Sequence, residues 1–212
     1  MNNLKLEYLI SWKRLSCLIA VFGGVQFVIL TLIAMFLYPD GYSFAEDYLS
    51  HLGTTITYDN FSPNMICRIL FLVACVLAGV SLIPFWIAMT TLFKESEIAK
   101  YFGYIGSFLG LISSPLLMAV GIFPGDTHYI EHAFSARYFF MLFALAILVC
   151  SIAILLKDDY HNVYAFVGFA FSILILLYTS GFFAPINSLM QKVIIYGFIS
   201  WSALQITRIW RM

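Results

Sequence analysis

Asp126, His128 and His132 make the sharpest chemical pattern in the chain, D-x-H-x-x-x-H. If residues 128–132 are helical, the two imidazoles stand one turn apart on one face. They could then grip one metal ion, zinc above all, with Asp126 as a further ligand. Zinc hydrolases space two histidines the same way, but they carry a glutamate directly after the first. Here that position is Tyr129. Pro124 and Gly125, just before the pattern, are turn formers and work against a helix from 126 onward. The competing reading is a polar loop in which His132 opens a helix and bonds to nearby backbone.

A second constellation lies upstream. Asp47 and His51 are four residues apart, so on a helix they share a face. Either could extend a metal set. A metal-free alternative uses His132 as general base near Ser50, and Asp126 is the further candidate catalytic residue. Ser50 directly precedes His51, a spacing that does not by itself make a nucleophile–base pair. Arg68 and Arg137 offer a third chemistry, because each falls about one turn inside an apolar run. They either pair with carboxylates of the polar connectors or grip a lipid phosphate through bidentate hydrogen bonds. The second option pictures a headgroup pocket bounded by Arg68, Arg137 and Lys192. His132 with Asp126 would take the remainder of the headgroup, and Asp47 and His51 are further candidate binding residues.

The elements that must position these residues are apolar throughout. Of the 212 residues, 62% are hydrophobic and 10% charged, against roughly 25% charged in soluble domains. Mean hydropathy is +0.94. The formal net charge is zero, which leaves no electrostatic case for nucleic acid. Crossing a bilayer takes about 20 apolar residues per helix. The qualifying runs are about 15–38, 65–93, 101–123, 133–156, 163–183 and 190–209. We therefore expect one all-α transmembrane domain over 1–212, a polytopic bundle of six transmembrane helices. Lys13 and Arg14 precede a first run longer than the roughly 7–15 residues of a signal-peptide core, so it reads as a retained span.

Basic residues set the expected orientation. Lys5, Lys13, Arg14, Lys94, Lys100, Lys157, Arg208 and Arg211 fall on one side of six crossings. The positive-inside rule then puts both termini in the cytoplasm. Trp12, Tyr38, Tyr42, Tyr129 and Trp210 lie near span ends, as interface anchors do. Gly103, Gly106 and Gly110 share one face of the third span and predict a close packing seam. Pro84 and Pro115 predict kinks. Cys17, Cys67, Cys75 and Cys150 match no metal spacing and read as small packing residues.

The first outer connector, 39–64, is too long for a simple turn. Ser43 and Glu46 form a capping box, Gly53 is a stop, and Phe44, Tyr48 and Leu52 make an apolar stripe. They predict a short helix over 44–52 on the outer surface, either a cap of the bundle or a lid over a site. No phosphate-binding glycine loop, nucleophile elbow or dinucleotide fingerprint is present.

Two segments carry a family resemblance. Asp47-Tyr48-Leu49-Ser50-His51-Leu52-Gly53 follows span one. Gly121-Ile122-Phe123-Pro124-Gly125-Asp126 closes span three and precedes His132. Together they resemble an uncharacterised archaeal and bacterial family of six-helix membrane proteins and, more distantly, the DRAM and Sfk group. Ser50, Gly53, Pro124 and His132 match best, while His51 stands where that group usually has Asp. The resemblance implies an association with membrane lipids and no established activity.

Three functions follow as expectations. The first is a lipid-headgroup binder with an outward polar pocket. The second is a metal- or histidine-dependent hydrolase or acyltransferase acting on lipids. The third is an accessory subunit without chemistry. The partners implied are membrane lipids, and either further copies of the chain or a larger membrane complex.

Overall fold

The computed structural model describes residues 3–93 and 96–211, with side chains from Ser11 onward. Lys94 and the side chain of Lys5 lie outside the described residues. Six long helices account for most of the chain: α1 (Asn3–Phe36), α2 (Met65–Met89), α3 (Glu97–Ile122), α4 (Tyr129–Leu155), α5 (Asn162–Thr179) and α6 (Asn187–Trp210). No strand occurs among the described residues, only one isolated bridge between Ile56 and Pro63 in the first connector.

Five helices are long and apolar enough to cross a membrane: Ser11–Phe36, Met65–Phe93, Glu97–Ile122, Tyr129–Leu155 and Asn162–Thr179. The protein is therefore a multi-pass helical membrane protein. The sixth expected span, 190–209, is a helix of sufficient length but is not apolar enough to join them. Gln191, Lys192 and Gln205 dilute it, and all three are buried inside the bundle. Polar groups turned inward do not face hydrocarbon, so α6 reads as polar without exposing that polarity to lipid.

α6 nonetheless runs the length of the bundle. At its start, the Ser188 hydroxyl donates to the Ala45 carbonyl of the first connector at 2.7 Å. Near its end, the Arg208 guanidinium donates to the Asp159 carbonyl between α4 and α5 at 2.7 Å. Arg14 of α1 lies 5.6 Å from the Trp210 ring centre.

Small residues hold the central helices together. The glycine seam expected on α3 is present. A Cβ on Gly106 would lie 2.5 Å from Cys150 Sγ and 3.0 Å from the Ala146 carbonyl oxygen of α4. Gly103 abuts Phe93 and Gly110 abuts the Trp86 indole. Trp86 is fully buried, with its ring 5.8 Å from Phe143 and 6.3 Å from Trp201. Pro84 and Pro115 lie inside α2 and α3, and both helices continue through them. The four cysteines are buried and free.

The connector between α1 and α2 differs from expectation. No α-helix forms over 44–52. A turn over 44–47 leads instead into a 3-10 helix, Leu49–Gly53. α6 supplies the cause. An α-helix here would join the His51 N–H to the Asp47 carbonyl and the Leu49 N–H to the Ala45 carbonyl. Lys192 Nζ takes the Asp47 carbonyl, Gln191 Oε1 accepts the Leu49 N–H at 2.7 Å, and Ser188 takes the Ala45 carbonyl. The His51 N–H then bonds to Tyr48 at 3.0 Å, the tighter spacing of a 3-10 turn. The capping partner differs too. Asp47 Oδ2 accepts from the Ser43 N–H at 2.8 Å, the return bond expected of Glu46.

Candidate functional site

The connector forms a roof over one end of the bundle, and the second connector fastens it. Asp126 Oδ2 accepts from the Thr55 N–H at 2.9 Å, from the Thr55 hydroxyl, and from the Ile56 N–H at 3.3 Å. Burial works to raise the Asp126 pKa, but these donors outweigh it and hold the carboxyl below its usual range. A depressed carboxylate contributes stability that is full above its unfolded pKa and is lost as pH falls through the folded value. Amides of residues 54–57 should therefore keep their exchange protection from pH 7 down to about 4 and lose it below. In Asp126→Asn that pH dependence should vanish, with protection already lower at pH 7. Superimposable profiles for the two proteins would show that the carboxylate does not hold the roof.

The trio expected as metal ligands does not assemble. His132 Nδ1 donates to the Phe123 carbonyl at 2.8 Å and so closes the end of α3. His128 is exposed at the start of α4, with Nδ1 3.0 Å from the Thr127 hydroxyl. Asp126 is engaged by the roof. Among the described residues no three His, Cys, Asp or Glu side chains are placed to hold one metal ion. α4 begins at Tyr129, so only the second histidine lies within the helix. His132 bonds to nearby backbone, as the polar-loop reading has it, but it lies within the first turn of α4 rather than opening the helix.

Asp47 and His51 do meet. His51 Nδ1 lies 3.1 Å from Asp47 Oδ1, and their side chains are 22% and 18% exposed. Burial lowers the His51 pKa, only partly opposed by the hydrogen bond and charge of Asp47. The ring is neutral at pH 7 and donates through Nδ1. It packs 4.6 Å from the Tyr58 ring centre and 5.4 Å from Tyr48.

The expected Arg68–Arg137–Lys192 pocket is not built around Lys192. That side chain is 1% exposed and lies beneath the roof. Its ammonium donates to the carbonyls of Asp47 and of Ser188, the latter at 3.2 Å. The Tyr42 and Phe44 rings lie about 5 Å away, 5.3 and 5.2 Å to their centres. Arg68 donates to the Ile122 carbonyl at the end of α3, 3.4 Å away. Arg137 is exposed on α4 beside Phe134 and Tyr138. Neither arginine pairs with a carboxylate among the described residues.

Beneath the roof lies a feature the sequence did not announce. An apolar cleft of about 1120 Å³, its open mouth included, runs between α1, α2, α3, α4 and α6. Phe71, Phe139, Phe143 and Phe198 furnish much of its wall, and Leu49, Ser50 and Gln191 stand at its roofed end. Val21 and Val25 of α1, 44% and 52% exposed, line it too, so the cleft opens sideways past α1. Gly24 permits this geometry, because a Cβ there would already be 3.2 Å from Ile199 of α6. The signal in the sequence is the polarity of α6, where Gln191, Lys192 and Gln205 all turn inward.

No protein-family model matches the chain, and neither does any curated protein or solved structure. The site stands on its geometry alone.

Proposed function

We propose that this protein binds a membrane lipid, with an acyl chain in the cleft and the headgroup at the roofed end. The roofed, side-open apolar cleft carries this reading. Its lining is almost wholly apolar, as ligand pockets for hydrocarbon are, and its mouth lies on a helix face that is apolar and exposed. A chain would slide in from the bilayer past Val21 and Val25, and the mainly apolar lining matches a hydrocarbon. Ser50 and Gln191 are the polar groups at the roofed end. Arg68 and Arg137 are the guanidiniums available to a headgroup phosphate.

In this reading all six helices cross the membrane, because α6 extends from the roof to the opposite end. That opposite end gathers Arg14, Lys157 and Arg208, with Lys157 Nζ donating to the Leu92 carbonyl at 2.8 Å. The positive-inside rule assigns this end, and with it both termini, to the cytoplasm. The roof then faces outward.

Mass spectrometry of lipids retained by the protein, purified in a mild detergent, tests the reading. One lipid class should be enriched well above its share of the membrane extract. Ala136→Trp places an indole in the open space of the cleft and should reduce the retained lipid at least tenfold. Arg68→Ala should weaken retention of phosphate-bearing lipids in particular. Retention that is unselective, or unchanged in Ala136→Trp, would overturn the reading.

A further inference from the structure

Hydroxyls inside a membrane helix ordinarily return their proton to a carbonyl one turn back. Ser16 does so to Trp12, Thr31 to Phe27, Ser81 to Leu77 and Ser151 to Ile147. Ser202 of α6 does not. It is 8% exposed, its Oγ has no hydrogen-bond partner, and it lines the cleft. Leaving such a group unmatched in an apolar setting is costly. Gln205, one turn further along α6, also has a buried Nε2 with no partner, while its Oε1 accepts from the Tyr160 hydroxyl at 2.6 Å.

We infer that the ligand of this cleft carries an oxygen function partway along its chain, and that Ser202 is its hydrogen-bond partner. The inference rests on the lipid-binding reading above and narrows the substrate class. The ligand would be an oxygenated long-chain amphiphile, polar at the outer end and again at the level of Ser202. A chain without the second oxygen would leave the Ser202 hydroxyl unmatched. A chain with it exchanges a hydrogen bond to water for one to protein, a net gain of modest size.

The spacing sets which chain position is read. Ser202 follows Gln191, at the roofed end, by eleven residues. At 1.5 Å per residue that is about 16 Å along the helix. An extended chain advances about 1.2 Å per bond, so about thirteen bonds separate the two polar groups. 12-Hydroxystearate has its hydroxyl at this distance from its carboxylate, and stearate is the matched chain without it.

The test is competition of each acid against radiolabelled stearate on the purified full-length chain, in one non-ionic detergent. 12-Hydroxystearate should displace the label at a concentration about two- to tenfold lower than stearate, the effect of one net hydrogen bond. Ser202→Ala should bind stearate at least as tightly, since no hydroxyl is then left unmatched, and lose the preference. Ser202→Thr, which keeps the hydroxyl, should retain it. Ser81→Ala removes a hydroxyl that is already satisfied in the same cleft and should also retain it. Equal displacement by the two acids, or a preference that survives in Ser202→Ala, would overturn the inference while leaving the cleft a lipid site. Failure of stearate itself to bind would overturn the lipid-binding reading and this inference with it.

Discussion

Gly110→Ala is expected to destabilise the fold by about 3 kcal/mol, at the upper end of what overpacking costs. A Cβ at Gly110 would fall inside the Trp86 indole. Trp86 cannot swing away, because it is fully buried among Phe85, Phe143 and Trp201. The displacement must therefore pass to the α2–α3 packing, and through Trp201 to α6. Thermal unfolding in detergent should show a midpoint lower by roughly 6–12 °C, the shift such an energy gives in a chain of this size. Phe108→Ala on the same helix is the control, since Phe108 is 63% exposed. If Gly110→Ala unfolds with the wild-type midpoint, the close approach of α3 to Trp86 is not part of the working fold.

The second large effect is expected at Lys192. Lys192→Met keeps much of the side-chain volume and removes the charge and its donors. The Asp47 carbonyl then keeps only the Tyr42 hydroxyl as a donor, at 3.2 Å, and the roof loses one of three side-chain bonds to α6, leaving Gln191 and Ser188. Hydrogen bonds to charged groups are worth about 1.5–3 kcal/mol, offset here by relief from burying a cation. A loss of about 2 kcal/mol in roof docking corresponds to amide exchange about 30-fold faster over 49–54. Exchange in α2 and α3 should stay as it was, because the roof opens locally while the bundle holds. Unchanged exchange over 49–54 would mean that Gln191 and Ser188 hold the roof without the lysine.

The helices of the bundle were legible in composition. Five of six predicted spans recur with ends shifted by a few residues, because withdrawing a segment into hydrocarbon depends chiefly on how many consecutive apolar residues it has. The α3 glycine seam was legible for a similar reason. Gly103, Gly106 and Gly110 follow helical spacing, and only a residue without a Cβ lets helices approach so closely.

The site was legible only as a set of residues. Asp47 and His51 meet, as four-residue spacing implies, although the backbone joining them is a turn and the start of a 3-10 helix. The metal pattern of Asp126, His128 and His132 does not assemble, because each side chain finds a different partner. Asp126 is taken by Thr55, which is 71 residues away. His132 is taken by the free carbonyl at the end of α3.

Local spacing could not settle which helix the connector forms either. The residues that decide it, Ser188, Gln191 and Lys192, lie 142 to 145 residues further along the chain. The apolar cleft is the extreme case. Most residues lining it are ordinary for a membrane helix, and the void exists only where α1, α2, α3, α4 and α6 fail to close on one another beneath the roof. Runs of hydrophobic residues and helical spacing are properties of short segments, so the amino-acid order alone carried the spans and the seam. The roof, the partners of Asp126, His132 and Lys192, and the cleft are matters of packing between distant segments, and they came into being only with the tertiary structure.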